Sequence, residues 1–373
     1  MFPGLLSFWL SLIFGSLAFL ALSRMPFLKE ENRNSRAVNY HLSIIIPARN
    51  EEKNLERLLN SIANQTVPID EIIVADDHSE DRTGQIALNY GARVIPVPDL
   101  PEGWLGKSWA CWHGALASKG DLLIFLDADV FLEKGAIEKL VNLYEKKKGL
   151  ISVQPYHFMV RLDEKLSAFF NFILSLNMSL PLLFKKIIKP FGAYGPCLVC
   201  HRRDYFASGG HEAVRGEILE DMALGRRFLE KGMPVHLFGG KGTVFFRMYP
   251  RGFWQLIEGW TKNFASGAFS SNPFCLLICA GWVTFCLSAP LNIIKGFLTE
   301  QYQLVAISSI LYLFFAAQIC WGLNRLGNFG VDPGIFYPFY LLFFIAIFFL
   351  SLFQTYGLRQ VRWKGRKIKL TKS

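Results

Sequence analysis

"GDLLIFLDADV", residues 120–130, is an apolar run that ends in two acids one residue apart, Asp127 and Asp129. A short stretch that is apolar throughout reads as a strand buried on both faces. An uncompensated buried carboxylate is costly, so two at the tip of a core strand demand a counter-charge. Alternate side chains of a strand share a face, which lets both carboxylates aim at one point. A divalent cation suits that arrangement, because Mg2+ or Mn2+ takes one or two carboxylates and fills its shell with substrate phosphates. The alternative is a pair of loop acids capping a helix that starts near Glu133.

The surrounding sequence repeats the pattern. "LSIII" (42–46), "EIIVAD" (71–76) and "RVIPV" (93–97) also read as buried parallel strands. Between them, "EEKNLERLLNSIANQ" puts Leu55, Leu58, Leu59 and Ile62 on one helical face. "SEDRTGQIALNYG" reads as a helix capped by Ser79 and closed at Gly91. The alternation predicts an α/β fold, a Rossmann-like and mostly parallel sheet with helices on both faces. In such sheets the ligand sits beyond the carboxyl ends of the strands. Four polar stretches fall there: "PARNEE", "ADDHSEDR", "PEGWLGK" and "DADV". Their convergence outweighs any one motif.

Each stretch offers chemistry. Pro47 ends the first strand, and Asn50 and Glu51 open a helix whose first turn has free N–H groups. Asp76 and Asp77 suit a base or ribose, or else cap the helix near Glu80. Gly103, Gly106 and Lys107 precede a helix start at Ser108, and a cation beside a helix N-terminus suits a diphosphate. Their spacing is neither a Walker A motif nor a dinucleotide fingerprint. Trp104, Trp109 and Trp112 either stack on a sugar or base or pack in the core. In "EILEDMALGRRFLEKG", Glu220 and Asp221 start an amphipathic helix, and Asp221 there is expected to stay ionised with a lowered pKa. "RGFWQLIEGWTKN" then brings Trp254, Trp260 and Lys262.

The chain has 373 residues, of which 51% are apolar and 34 are Phe, and the excess is clustered. Residues 2–23, 301–324 and 334–358 are uncharged, as are 263–294 with their apolar part from Pro273. Each covers the ~20 residues of a membrane-spanning helix. Residues 166–186 are weaker, holding Asn171, Asn177 and Pro181 between lysines. They are expected to lie on the membrane surface, with a buried core helix as the alternative.

The expected organisation is an uncleaved anchor (1–24), a cytoplasmic catalytic block (38–265), C-terminal spans (273–358) and a basic tail (359–373). Arg24, Lys29, Arg33 and Arg36 follow the first apolar run, and the tail adds seven Lys or Arg without an acid. Both read as cytoplasmic and as meeting anionic headgroups, and no nucleic-acid partner is expected. Four full spans would separate block from tail, so a re-entrant C-terminal segment would reconcile the two signals. The seven Cys are an odd number, which suits a reducing compartment. Cys197-x-x-Cys200 lacks the second ligand pair of a zinc site. The apolar runs carry no ionisable groups, which argues against a transporter of polar solutes. A nucleotidyltransferase would need a richer triphosphate cradle than Lys107.

In order, "SIIIPARNEE", "VADDHSEDRT", "FLDADV", "GGHEAVRGEILEDMALGRR" and "EGWTKN" resemble the family-2 glycosyltransferases of the GT-A fold, across residues 42–263. "PEGWLGKSWACWHGA", the apolar spans and the terminal "WKGR" are similar to membrane members of that family that glycosylate isoprenoid lipids. The resemblance implies that Pro47, Asn50, Glu51, Asp76 and Asp77 hold the uridine end of a UDP-sugar donor, with Lys107 and Asp127 nearby. It implies that Asp127 and Asp129 bind Mg2+ or Mn2+ on the diphosphate. Asp221, with Glu220 beside it, would be the base of an inverting displacement. The implied donor is UDP-glucose and the implied lipid acceptor a carotenoid acid, although a hopanoid, polyprenyl phosphate, ceramide or diacylglycerol fits the same layout. Family members often end the domain with Q-x-x-R-W; here Gly259 precedes Trp260 and Gln255 lies five residues before it. That departure argues against a processive synthase and leaves Trp260 and Lys262 for the acceptor or phosphate side.

Overall fold

A computed structural model of the chain describes residues 3–28, 40–357, 360–363 and 366–369. Lys29, Arg33, Arg36 and part of the basic tail therefore lie outside the described residues. The strands are β1 (Leu42–Ala48), β2 (Glu71–Asp76), β3 (Arg93–Pro96), β4 (Leu122–Leu126), β5 (Val130–Leu132) and β6 (Leu150–Gln154). They continue with β7 (Tyr156–His157), β8 (Cys197–His201), β9 (Val235–Gly239), β10 (Val244–Phe246), β11 (Gln360–Trp363) and β12 (Arg366–Lys369). The helices are α1 (Pro3–Ser23), α2 (Glu52–Ala63), α3 (Thr83–Asn89), α4 (Gly106–Ala117), α5 (Ala136–Lys147), α6 (Ala168–Leu183) and α7 (Arg202–Ala207). After them come α8 (Glu220–Glu230), α9 (Phe253–Phe269), α10 (Pro273–Leu298), α11 (Tyr302–Leu326), α12 (Asp332–Ile335) and α13 (Tyr337–Leu352).

The chain forms two units. One is a sheet unit of Pro26–Phe158 and Phe191–Arg247; the other is a helical unit of Met1–Met25, Met159–Pro190 and Met248–Ser373. The sheet unit is built on seven strands in the order β3-β2-β1-β4-β8-β6-β9. The first four strands run parallel, β8 is antiparallel to both β4 and β6, and β9 is parallel to β6. Every residue of β4 and β6 is buried, which is why these segments are apolar without alternation. A second sheet, β5-β10-β7, stands beside it. There Phe131 stacks on Phe245 at 5.2 Å, under the Arg57 guanidinium. The edge strand β9 receives the segment that follows α1: Gly239 donates to the Pro26 carbonyl (2.8 Å) and bridges Phe27.

Three local expectations are corrected. β4 stops at Leu126, and Asp127 to Asp129 form a turn closed by the Val130 N–H on the Asp127 carbonyl (3.0 Å). The two acids therefore sit on a tight connection between two sheets, not on alternate positions of one strand. The next helix starts at Ala136 with Gly135 as its cap, so neither acid caps it. α3 starts at Thr83 rather than beside Ser79, because Ser79 is engaged in a turn with Asp76.

Among the described residues of the helical unit, five segments are long and apolar enough to cross a membrane: Leu6–Ser23, Asp163–Leu183, Pro273–Leu298, Tyr302–Leu326 and Tyr337–Thr355. The one containing α6 was expected to lie on a surface, yet 78% of it is buried, against 28–33% for the other four. α6 packs on α1, α10, α11 and α13. Its circumference is apolar, and a helix of that kind is enclosed rather than laid on a boundary. Asn171 Nδ2 donates to the Ser167 carbonyl (3.0 Å) and Asn177 Nδ2 to Ser271 Oγ (2.7 Å), while Asn177 Oδ1 is buried without a partner among the described residues. The strands flanking α6 in the chain, β6 and β8, are neighbours in one sheet. Gln318 of α11 ties the bundle together, accepting from Trp282 Nε1 (2.9 Å) and donating to the Gly15 carbonyl (2.5 Å).

Candidate active site

The parallel strands deliver the polar stretches to one edge. Asn50 takes a left-handed backbone (φ 52°), which Asn tolerates better than most residues. In that pose its Oδ1 accepts from the Glu80 N–H (2.8 Å) and its N–H donates to Ser79 Oγ (3.0 Å). The Glu51 N–H donates to Thr83 Oγ1 (2.8 Å). The loops after β1 and β2 are thus stapled together. Asp76 accepts from the Ser79 N–H (3.1 Å), a turn role. Asp77 is the buried acid of the pair, at 6% side-chain exposure, and Arg49 lies 3.3 Å from its Oδ2. His78 reaches both Asp77 (3.4 Å) and Asp99 (3.2 Å). Sequence reasoning passed over Arg49 and His78, although both lie inside the quoted motifs.

The central feature is Lys107, the second residue of α4. Its Nζ lies 3.0 Å from Asp127 Oδ1, 3.2 Å from Glu220 Oε1 and 2.9 Å from Asp221 Oδ2. The cation expected to await a phosphate is instead shared by three carboxylates. Burial by itself would lower the Lys107 pKa, but Asp127, Asp221 and Glu220 outweigh it and hold the ammonium well above its ordinary value. Asp221 reverses its expectation. Burial pushes it up to about 7, Lys107 opposes the rise, and Glu220 and Asp127 add to it. The free N–H groups at the start of α8 do not offset the lost hydration.

Gly195 completes the pocket around Asp221, since a Cβ there would overlap the carboxylate. The loop carrying it is pinned by the Asp127 N–H on the Pro196 carbonyl (3.0 Å). "AYGP" gave no signal of this contact, which arises only when β8 inserts beside β4. The segment before α8 is tied to α4 as well, for the Arg215 carbonyl accepts from the Leu105 N–H (3.1 Å) and Ser108 Oγ (3.3 Å).

Asp129 follows in the turn, its carbonyl accepting from the Arg247 N–H (3.2 Å). Among the described residues, no group of three or more His, Cys, Asp or Glu is arranged to hold a metal ion. The pair Asp127 and Asp129 still fits a hard cation that takes its remaining oxygens from a bound diphosphate and water. Cys197 and Cys200 are buried in β8, and burial pushes both thiols up, as suits core residues.

Other candidates lie elsewhere. Trp104 and Trp109 pack at 4.6 Å, and Trp109 Nε1 donates to the Pro98 carbonyl (2.9 Å). Trp260 belongs to α9 of the helical unit, buried and stacked on Phe170 at 4.6 Å, with its indole N–H on Ser167 Oγ (3.0 Å). Lys262 lies two residues further along α9. The Lys107 cluster is built wholly from the sheet unit.

The sheet unit is a mixed sheet with a lysine-bridged acidic edge, and residues 43–205 match the profile "Glycosyl transferase family 2". The chain belongs to that family. It is 36% identical over 375 residues to 4,4'-diaponeurosporenoate glycosyltransferase of Staphylococcus aureus strain USA300, covering 98% of this chain and 99% of that one. The same figures hold for the enzyme of strain NCTC 8325 / PS 47. Among solved structures it is similar to glucosyl-3-phosphoglycerate synthase from Mycobacterium tuberculosis in complex with Mn2+, uridine-diphosphate and phosphoglyceric acid. That likeness has a TM-score of 0.44 at 20% identity, over 66% of this chain and 86% of that one.

Proposed function

We propose that the protein transfers glucose from UDP-glucose to the carboxylate of a carotenoid acid, with inversion, giving a glycosyl ester. The observation that carries the reading is the cluster of Asp127, Lys107, Glu220 and Asp221 at the strand edge. The acceptor class is supported by a relative, named for diaponeurosporenoate, that aligns from end to end. The apolar helices suit an acceptor dissolved in a membrane. We place the protein in the cell membrane as a multi-pass enzyme with the sheet unit on the cytoplasmic side, where UDP-sugars are made.

The geometry supports a role for each residue in this reading. The stapled edge of Pro47, Asn50 and Glu51, with Asp77 and its partner Arg49, receives the uridine. Asp127 and Asp129 would hold Mg2+ or Mn2+. When bound, that ion supplies the positive charge that steadies the departing diphosphate. The acceptor carboxylate attacks the anomeric carbon from the face opposite the diphosphate; the new C–O bond forms as the bond to UDP breaks. An acid at an apolar boundary has a raised pKa. Asp221, itself near 7, is matched to take that proton. With an acceptor already ionised, the same carboxylate serves to orient.

Membranes carrying the protein, given radiolabelled UDP-glucose and extracted pigment, are expected to place label in a polar carotenoid. Label in a hopanoid or polyprenyl lipid instead would overturn the acceptor. Asp129→Ala is expected to abolish transfer while the protein stays folded and membrane-bound. Retained turnover in that variant would sink the metal assignment.

A further inference from the structure

We propose that Lys107 is a positioning residue: its ammonium fixes the Asp221 carboxylate at a set distance from Asp127, so that the base side and the diphosphate side of the site keep one spacing. The inference rests on the function proposed above and deepens it. An ammonium has three N–H donors and no acceptor. Lys107 meets three carboxylates, at 3.0 Å (Asp127), 3.2 Å (Glu220) and 2.9 Å (Asp221), one for each donor. No donor is left over for a phosphate oxygen, which is the task that its motif suggested.

The four side chains come from three stretches of chain. Asp127 stands in the turn that follows β4, Glu220 and Asp221 begin α8, and Lys107 stands on α4. The ammonium contacts all three acids. Asp221 is confined on a further side by Gly195, whose missing Cβ leaves room for the carboxylate. The root of Lys107 is itself held, since Leu105 and Ser108 on either side of it bond the Arg215 carbonyl. A catalytic group performs best when its rotamer is locked by neighbours that are themselves fixed. Removing the cation would let three like charges push apart and carry Asp221 out of line.

The test is steady-state kinetics in membranes with Lys107→Met and Lys107→Arg. Positioning predicts that Lys107→Met lowers kcat about a hundredfold, with the KM for UDP-glucose changed less than threefold, while Lys107→Arg recovers at least tenfold of the loss. A diphosphate ligand would behave in the opposite way, with KM raised and kcat kept, and that result overturns the proposal. If Lys107→Met fails to fold, Lys107→Met with Glu220→Gln carries one charge fewer. A kcat for that double variant equal to that of Glu220→Gln alone would likewise overturn it. The wild type run alongside separates the two readings. Should it transfer nothing to the carotenoid acid, the acceptor assignment falls. The Lys107 comparison is then made on hydrolysis of UDP-glucose by water, which needs no lipid.

Discussion

Burial pushes the Asp221 carboxyl up to about 7, well above the usual carboxylate range. A raised acid binds more protons folded than unfolded across that interval. Stability therefore falls as pH climbs from about 4 to about 7 and changes no further from this group above it. Activity runs the other way, because the base must be ionised. A rising limb in kcat with a midpoint near pH 7 is expected, and Glu220→Gln should move that limb to lower pH by removing a neighbouring negative charge. An unmoved limb would assign the titration to another group. The place of Asp221 was legible in the sequence as the first turn of a helix. Its protonation was not, because the burial comes from a glycine loop 26 residues upstream and from a lysine 114 residues upstream. Asp77 shows the same division: its position could be read, but its Arg49 partner emerges only from the backs of two adjacent loops.

At the scale of elements, apolar runs located the parallel strands to within a residue or two, since a strand buried on both faces has to be apolar throughout. What could not be read was β8. "CLVCH" offers a Cys-x-x-Cys spacing without the second ligand pair of a zinc site and no clear strand signal, and it is a central strand inserted antiparallel between β4 and β6. Strand order depends on long-range pairing, for which one sequence carries no periodicity. That insertion brings the loop of Gly195 onto Asp221, and Gly195→Ala tests the contact. The added methyl meets the carboxylate, and overpacking of this kind costs about 1–3 kcal/mol. A drop in kcat of at least tenfold is expected, with the thermal midpoint in detergent lowered by only a few degrees. Equal activity would show that the loop yields. Helix α6 marks the other limit of pattern reading, for a fully enclosed apolar helix and a membrane-bound one share a composition.

At the scale of the whole chain, the tail's side can be argued from packing. β11, which follows α13, packs on α9, which precedes α10, both within the helical unit. On that packing the chain is expected to return to the side from which α10 sets out, with an even number of crossings between. This agrees with the basic character of the tail. A fluorescent protein fused after Ser373 is expected to fluoresce and an alkaline phosphatase fused there to stay inactive; the reverse pair would require an odd number of crossings. A different consequence belongs to the far edge of the sheet. The pairing of Pro26 and Phe27 with Gly239 covers part of β9, the last strand in the order. A bared edge offers unpaired N–H and C=O groups to any passing strand. Protein shortened by residues 1–28 is expected to gather into soluble oligomers seen by light scattering, while protein shortened by residues 1–23 resists. The short stretch after α1 is thus expected to guard against self-assembly, separate from any part it plays in holding the enzyme to a membrane.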